Sequence, residues 1–150
     1  MGFSTRLRVS LPPRLPGRFR PIHVRRDPEA EARQLESDLQ DLGLAVCVLG
    51  LGADGHIALN QPGSPADSRT RIVEIEPENL ARLGDVAPAT RALTLGVATL
   101  LAARQIVLVV DGADKQAALE RVLDGPPGED VPASLLHGHP RYSVFVRDEV

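Results

Sequence analysis

A glycine-rich segment near the middle of the chain brings together residue types that can transfer protons. Asp54 and His56 lie two residues apart within it, and Asn60 and Gln61 follow closely. An imidazole titrates near neutral pH and can both accept and donate a proton. A carboxylate two residues away can orient that imidazole. The segment therefore predicts a site at which a proton moves to or from a bound molecule.

Three glycines in the same segment favour the binding of an anion. Gly50, Gly52 and Gly55 carry no Cβ, so backbone N–H groups can approach a bound anion closely. They also match the dinucleotide-binding pattern G-x-G-x-x-G, with Glu74 19 residues further on. That pattern needs a long helix starting at the third glycine. A proline and a glycine interrupt the chain seven to eight residues later, which argues against a dinucleotide site.

Structural interpretations of the same residues stay open at this point. Asp54 suits a turn, because aspartate tolerates turn geometry. Without its sequence context, His56 would more often be a structural histidine whose ring forms hydrogen bonds to other groups of the protein. Asn60 can satisfy backbone groups of the loop, and Lys115 can be a solvated lysine at the start of a helix.

The strongest local pattern predicts a helix from Pro28 to Leu42. Asp27 can cap this helix, and proline suits its first position. Three leucines fall on one helical face over this range, and Gly43 favours its end. We expect this helix to open the ordered part of the chain.

The elements that follow alternate between strands and helices. Residues 44–49 and 105–110 are almost continuously apolar, which is typical of strands buried on both faces. The weaker patterns predict strands over 70–75, 92–95 and 142–146. They also predict a helix from Gly96 to Ala102, a helix from Lys115 to Leu123 that is capped by Asp114, and a helical turn over 133–136. This alternation favours an α/β fold with an open, mostly parallel sheet and helices on both faces, of the Rossmann-like type. Ligands bind such sheets at the carboxyl ends of strands, where the glycine-rich segment lies.

The N-terminal part of the chain differs from the rest in composition. Residues 1–26 hold seven arginines, four prolines and no acid, so we predict a disordered Arg/Pro-rich tail or a start outside the fold. A nucleic-acid-binding arm and an organelle-targeting segment are the alternatives. Residues 27–150 are predicted to form one α/β domain with a surface excursion over 76–90.

Composition argues against several classes of protein. The net charge of −3 gives no electrostatic support for a nucleic-acid or membrane partner, and no apolar run approaches the roughly 18 residues of a membrane helix. The single cysteine, Cys47, excludes an internal disulfide framework and favours a reducing, cytoplasmic setting. His137 and His139 lack an accompanying ligand cluster, so we predict no metal.

Four blocks of sequence, in order, resemble the glucosamine-6-phosphate deaminase family. The blocks are Leu49–Ser64, Ser68–Ile72, Arg91–Leu101 and the pairing of Gly112 with Lys115. The sister family, the 6-phosphogluconolactonases, shares Gly52-x-Asp54-Gly55-His56. It lacks the continuation Asn60-x-Pro62-Gly63 and the block at 68–70, so the resemblance favours the deaminase branch.

The resemblance implies conversion of glucosamine 6-phosphate, a phosphorylated amino sugar, into fructose 6-phosphate and ammonia without a redox cofactor. His56 matches the histidine that helps to open the pyranose ring by moving a proton at the ring oxygen, and Asp54 matches the aspartate beside it. Lys115 matches the lysine that holds the sugar phosphate. The candidate catalytic residues are Asp54, His56 and Gln61, and the candidate substrate-binding residues are Gly52, Gly55, Asn60 and Lys115.

Two features depart from the family pattern. Gln61 stands where the family has a glutamate, and glutamine forms hydrogen bonds but cannot ionise or shuttle a proton. The resemblance also places this chain in the C-terminal half of the family fold. The N-terminal half supplies a phosphate loop and the aspartate that takes the C2 proton. We therefore expect impaired turnover, and an exposed edge or apolar face where the missing strands would pack.

Two other functions stay open beside deamination. One is a lactonase-type hydrolase, in which His56 would activate water. The other is a non-catalytic domain that binds a sugar phosphate or a partner chain, suggested by Gln61 and by the missing C2 base. A homo-oligomer is compatible with all of these hypotheses.

Overall fold

The structure, a computed structural model, describes residues 22, 27–75 and 91–147. Its strands are β1 (Cys47–Gly50), β2 (Arg71–Glu74), β3 (Arg91–Thr94), β4 (Ile106–Val110) and β5 (Tyr142–Val146), and its helices are α1 (Pro28–Leu42), α2 (Val97–Leu101) and α3 (Gln116–Asp124), with 3-10 helices at Ala113–Lys115 and Pro132–Gly138. The predicted tail, apart from residue 22, and the predicted excursion over 76–90 lie outside the described residues. Within the described ranges, no helix is long and apolar enough to cross a bilayer.

Helix α1 begins and ends at the residues that the sequence predicts. Asp27 caps it, because Oδ1 accepts a hydrogen bond from the N–H of Ala30 at 2.8 Å. At the other end, Gly43 has a φ of 73° and donates its N–H to the carbonyl of Leu39. A positive φ favours glycine because a Cβ would be strained there. Local signals therefore predict both ends of this helix.

A parallel sheet in the order β1-β4-β5 forms the centre of the fold. Gly50 lies opposite Val109, and Val109 lies opposite Phe145. The ladder continues past β1, because the N–H of Leu51 donates to the carbonyl of Val109 at 3.4 Å. Since the carboxyl ends of parallel strands meet at one edge, the loops that follow β1 and β4 are neighbours. The predicted α/β fold with a parallel sheet is confirmed.

The inner face of this sheet is covered by apolar side chains. Ile106 and Leu108 of β4 are fully buried, and they belong to one core cluster with Val122 of α3 and Leu136 of the second 3-10 helix. Ile57, from the loop after β1, is fully buried in the same cluster. Burial of an Ile, Leu or Val side chain stabilises a fold by about 1.5–3 kcal/mol. The core therefore fixes the loop as well as the strands.

Three details differ from the sequence predictions. The strand predicted from residue 44 starts at Cys47, where the N–H first joins the ladder by donating to the carbonyl of Gln105. Strands β2 and β3 pair with each other in an antiparallel sheet of their own. Asp114 does not cap α3, because it lies inside the preceding 3-10 turn and its carboxylate is 3.0 Å from Nζ of Lys115.

One carboxylate, that of Glu36, ties α1 to β2 and α2. Its Oε2 accepts hydrogen bonds from the N–H of Thr70 at 3.1 Å, from Oγ1 of Thr70 at 2.5 Å and from Oγ1 of Thr99 at 2.7 Å. Burial acts to raise the pKa of Glu36, but the hydrogen bonds from Thr70 and Thr99 act against it. The resulting pKa lies below the ordinary value of 4.5. The ionised form of Glu36 therefore stabilises the folded chain.

We predict that Glu36→Gln lowers the free energy of unfolding by about 1–2 kcal/mol at pH 7, because hydrogen bonds to a charged acceptor are stronger than those to an amide. The pKa is depressed in the folded state, so the contribution is fully present above pH 4.5 and is lost as the pH falls through the folded pKa. The difference between Glu36→Gln and wild type should therefore narrow in acid. Urea unfolding followed by circular dichroism measures both effects.

Asp41→Asn is the matched control, since Asp41 lies exposed on the same helix. It should change the free energy of unfolding by less than about 0.5 kcal/mol. Equal stability of wild type and Glu36→Gln at pH 7 would contradict the role given to this carboxylate.

Candidate active site

The loop after β1 is closed by its own backbone. The N–H of Gly52 donates to the carbonyl of His56 at 2.9 Å, and the N–H of Gly55 donates to the carbonyl of Gly52 at 3.0 Å. Leu51 and Ile57 pair as an isolated antiparallel bridge directly beside this turn, and both are buried. Residues 52–56 are therefore held in a compact turn at the carboxyl end of β1.

Gly52 and Gly55 shape this turn because neither has a side chain that would fill the space beside it. A Cβ on Gly52 would lie 2.5 Å from Cγ of His56, and closer still to Nδ1 of the same ring. Gly55 has a φ of 92°, and a Cβ there would meet Cγ1 of Val131 at 2.8 Å. A side chain on Gly52 would therefore displace the imidazole, and one on Gly55 would be strained and crowded.

Asp54 holds the ring of His56 in one orientation. Its Oδ1 accepts the backbone N–H of His56 at 3.1 Å and lies 2.6 Å from Nδ1 of the ring. An ionised carboxylate only accepts hydrogen bonds, so we assign the proton to Nδ1. In the neutral ring, Nε2 is then an acceptor. The side chain of His56 is 19% exposed, which leaves the ring partly open to a ligand.

The pKa of Asp54 supports this assignment. Burial acts to raise it, but the hydrogen bonds and the charge interaction with His56 act in the opposite direction. The resulting pKa lies below the ordinary value of 3.8. Asp54 is therefore ionised at neutral pH and accepts a hydrogen bond from the Nδ1–H group of His56.

Asn60 is fully buried and bonded to the protein. Its Nδ2 donates to the carbonyls of Ile57 at 3.2 Å and Leu95 at 2.8 Å, and its Oδ1 accepts from Nη1 of Arg71 at 2.9 Å. These bonds connect the loop to β2 and to the end of β3. Of the two interpretations that the sequence leaves open, the geometry favours the structural one, because Asn60 presents no exposed surface to a sugar.

Gln61 lies at the end of the same loop, close to β2. Its Nε2 donates to the carbonyl of Glu74 at 3.3 Å, which is long for such a bond. Its side chain therefore helps to join the loop to the end of β2. As an amide it adds hydrogen-bonding capacity and no titratable proton.

Lys115 lies in the turn that follows β4. Its N–H donates to the carbonyl of Gly112 at 3.0 Å, and Gly112 has a φ of 109°. Its Nζ is 3.0 Å from Oδ2 of Asp114, and its side chain is 17% exposed. Because β1 and β4 are paired in parallel, this turn lies beside the loop that carries His56. The pairing brings the predicted proton-transfer residues and the predicted phosphate ligand to one edge of the sheet.

Three residues that the sequence did not single out hold the loop from outside. Thr94 Oγ1 accepts a backbone N–H from the loop at 3.2 Å. The N–H of Ala133 donates to the carbonyl of Gly55 at 3.0 Å, and Oε1 of Glu129 accepts the N–H of Ala66 at 2.8 Å. These contacts join segments more than 30 residues apart in the chain, so no local pattern could have revealed them.

Comparison with known proteins adds to this geometry. The sequence model of the family described as glucosamine-6-phosphate isomerases/6-phosphogluconolactonase matches residues 4–144. The match begins inside the segment that we interpreted as a tail, and the domain boundary at residue 27 stays a prediction. The match covers all of the strands and helices described above except the last residues of β5.

Individual relatives are similar over most of this chain. The glucosamine-6-phosphate deaminase of Rhodopirellula baltica is 46% identical over 112 residues, which are 71% of this chain and 44% of the relative. Glucosamine-6-phosphate deaminase 2 of Giardia intestinalis is 42% identical over 125 residues, which are 79% of this chain and 48% of the relative. The chain thus spans about half the length of the curated relatives it matches.

The solved structure of a monomeric glucosamine-6-phosphate deaminase is similar in both fold and sequence. Its TM-score is 0.76 at 35% identity, and the superposition covers 81% of this chain and 53% of that one. These matches confirm the family resemblance predicted from the four sequence blocks. The chain belongs to the glucosamine-6-phosphate isomerase/6-phosphogluconolactonase family.

Proposed function

We propose that this chain carries the ring-opening and phosphate-holding part of a glucosamine-6-phosphate deaminase site. The observation that carries the proposal is the 2.6 Å contact between Oδ1 of Asp54 and Nδ1 of His56. This contact lies at the carboxyl ends of the strands, where the turn with Lys115 also lies. This contact leaves Nε2 of a partly exposed imidazole free to exchange protons. The identities of the deaminase relatives support the same reaction.

The chemistry assigned to His56 is proton transfer at the hemiacetal of the pyranose. Opening the ring breaks the bond between C1 and the ring oxygen. The C1 hydroxyl loses its proton, and the ring oxygen gains one, so the sugar becomes an open-chain aldehyde. Nε2 of His56 mediates this exchange, and Asp54 stabilises the imidazolium that forms on the way.

Lys115 is assigned to the phosphate of the sugar. It is the only lysine in the sequence, since all other basic side chains are arginines and histidines. A lysine is a compact point charge that suits a phosphate oxygen. The turn that carries it leads directly into α3, whose first N–H groups and dipole favour an anion at the same place. The phosphate would take the place of Asp114 as the partner of the ammonium group.

Asn60 and Gln61 receive different roles in this proposal. Asn60 is a positioning residue, because its hydrogen bonds hold the loop against β2 and β3. Gln61 adds a hydrogen-bonding amide but cannot carry the proton that isomerisation takes from C2. Ring opening is therefore the step that the loop supports, and the C2 transfer requires a group that this loop does not supply.

For the protein as a whole, a reducing, cytoplasmic setting remains the expectation from its single cysteine, Cys47.

We predict that the chain accelerates the exchange between the α and β anomers of glucosamine 6-phosphate, because that exchange passes through the open-chain aldehyde. His56→Gln should lower the accelerated exchange rate at least about 100-fold, because general acid–base catalysis usually contributes a factor of that size. Two-dimensional exchange NMR of the sugar measures the rate, with ammonia release assayed in parallel. His137→Gln, at a histidine outside the loop, is the control.

Two results would count against the proposed function. One is unchanged anomer exchange in the presence of the wild-type chain. The other is hydrolysis of 6-phosphogluconolactone that depends on His56 while glucosamine 6-phosphate is left untouched, which would favour the lactonase hypothesis.

We predict that Gly52→Ala removes the same acceleration while the chain stays folded, because the added methyl group displaces the His56 ring. The Cε1–H resonance of His56 should shift, and thermal unfolding should remain cooperative. Gly138→Ala is the matched control, since a Cβ at Gly138 meets no atom within 4 Å. A fully active Gly52→Ala variant would contradict the assigned position of the ring.

We predict that glucosamine 6-phosphate protects Lys115 from acetylation, because a bound phosphate engages Nζ. Mass spectrometry after brief treatment with acetic anhydride measures this directly, since Lys115 is the only lysine. Glucosamine without the phosphate should give no protection and serves as the control. Equal protection by both sugars would show that the phosphate does not contact Lys115.

A further inference from the structure

Two ion pairs lie at the carboxyl ends of β4 and β5. Oδ1 of Asp111 is 3.1 Å from Nε of Arg147, and Oδ2 of Asp114 is 3.0 Å from Nζ of Lys115. The charges of these four side chains cancel, so together they offer no net positive charge to an anion. The proposed phosphate ligand, Lys115, is therefore already engaged by a carboxylate of its own chain.

The carboxylate of Asp114 also lies over the glycine of the turn. A Cβ on Gly112 would be 2.7 Å from Oδ1 of Asp114. Gly112 has a φ of 109°, a conformation that favours glycine and leaves the backbone there without a covering side chain. One oxygen of Asp114 thus fills the space beside Gly112, and the other contacts Nζ of Lys115. Gly112 and Lys115 are the pair to which the sugar phosphate is assigned.

The two members of this ion pair differ in exposure. The side chain of Lys115 is 17% exposed, whereas that of Asp114 is 62% exposed. The ammonium group is therefore held in place by its surroundings, and the carboxylate is able to turn into water. Ion pairs with an exposed member are weak, so a phosphate group with a charge of about −2 can replace the carboxylate.

We propose that Asp114 gates the phosphate site as an internal counter-ion of Lys115. Its carboxylate occupies the empty site and turns outward when a sugar phosphate binds. Binding then breaks one ion pair and leaves a carboxylate near the phosphate, where like charges repel each other. Asp114 therefore lowers the affinity of the chain for a phosphorylated sugar. The inference rests on the role proposed for Lys115 and goes beyond it, because it assigns the control of that site to a neighbouring residue.

Titration of the full chain with glucosamine 6-phosphate, followed by isothermal calorimetry, tests the gate in two matched variants. Asp114→Asn and Asp111→Asn each remove one negative charge from the same turn. We expect Asp114→Asn to bind the sugar at least about fivefold more tightly than wild type, since a weak ion pair and a like-charge repulsion are both removed. Asp111→Asn should change the dissociation constant less than about twofold, because Asp111 contacts Arg147. High salt should narrow the gain of Asp114→Asn.

The ammonium group of Lys115 reports on the contact without any ligand. Because Lys115 is the only lysine in the sequence, the ¹⁵N-labelled chain gives a single lysine ammonium signal in NMR. We expect Asp114→Asn to shift this signal and Asp111→Asn to leave it in place. Saturating glucosamine 6-phosphate should bring the signals of wild type and Asp114→Asn to nearly the same position.

The possible results separate the gate from the proposed function. Equal affinity of wild type and Asp114→Asn, or an equal gain in Asp111→Asn, would overturn the gate and leave the role of Lys115 standing. An ammonium signal that Asp114→Asn does not shift would also overturn the gate. Binding by Asp114→Asn without binding by wild type supports the gate and counts against the proposed function of the wild-type chain. Failure of all three chains to bind the sugar overturns both proposals.

Discussion

The parallel ladder between β1 and β4 is the constraint on which the candidate site depends. It sets Cys47–Gly50 against Ile106–Val109, so the two loops that follow these strands lie side by side. The register is fixed by burial, because a slip of either strand by one residue would turn its leucine, Leu49 or Leu108, out of the core. The proposed proton-transfer residues of one loop and the proposed phosphate ligand of the other therefore lie at the same end of the sheet as a consequence of packing.

The loop to which we assign the chemistry is held more firmly than its glycine content suggests. Ile57 anchors it in the core, Asn60 bonds it to Leu95 and Arg71, and Ala133 bonds it to the second 3-10 helix. The glycines give room for the imidazole and for turn geometry, and they do not make the loop loose. Groups that must hold a ring within a few tenths of an ångström need such support from neighbouring elements.

Local signals predicted much of the fold, and long-range contacts account for the rest. Helix α1 and strand β5 have the predicted bounds, since Asp27, Pro28 and Gly43 define the helix and an isolated apolar run defines the strand. The antiparallel pairing of β2 with β3 could not be predicted, because the residues of a strand do not indicate which other strand it pairs with. The same holds for two of the three partners of Asn60, Arg71 and Leu95, which lie 11 and 35 residues away. The pairing of Asp54 with His56 was predicted, because both residues lie in one turn.

We propose that the loop after β1 and the turn after β4 bind one sugar phosphate together. A titration of the ¹⁵N-labelled chain with glucosamine 6-phosphate, followed by amide NMR, measures binding at both segments. We expect the amides of Gly52, Gly55 and His56 to shift together with those of Gly112 and Lys115, and all of them to saturate with one dissociation constant. Shifts confined to one of the two loops, or two different dissociation constants, would contradict it.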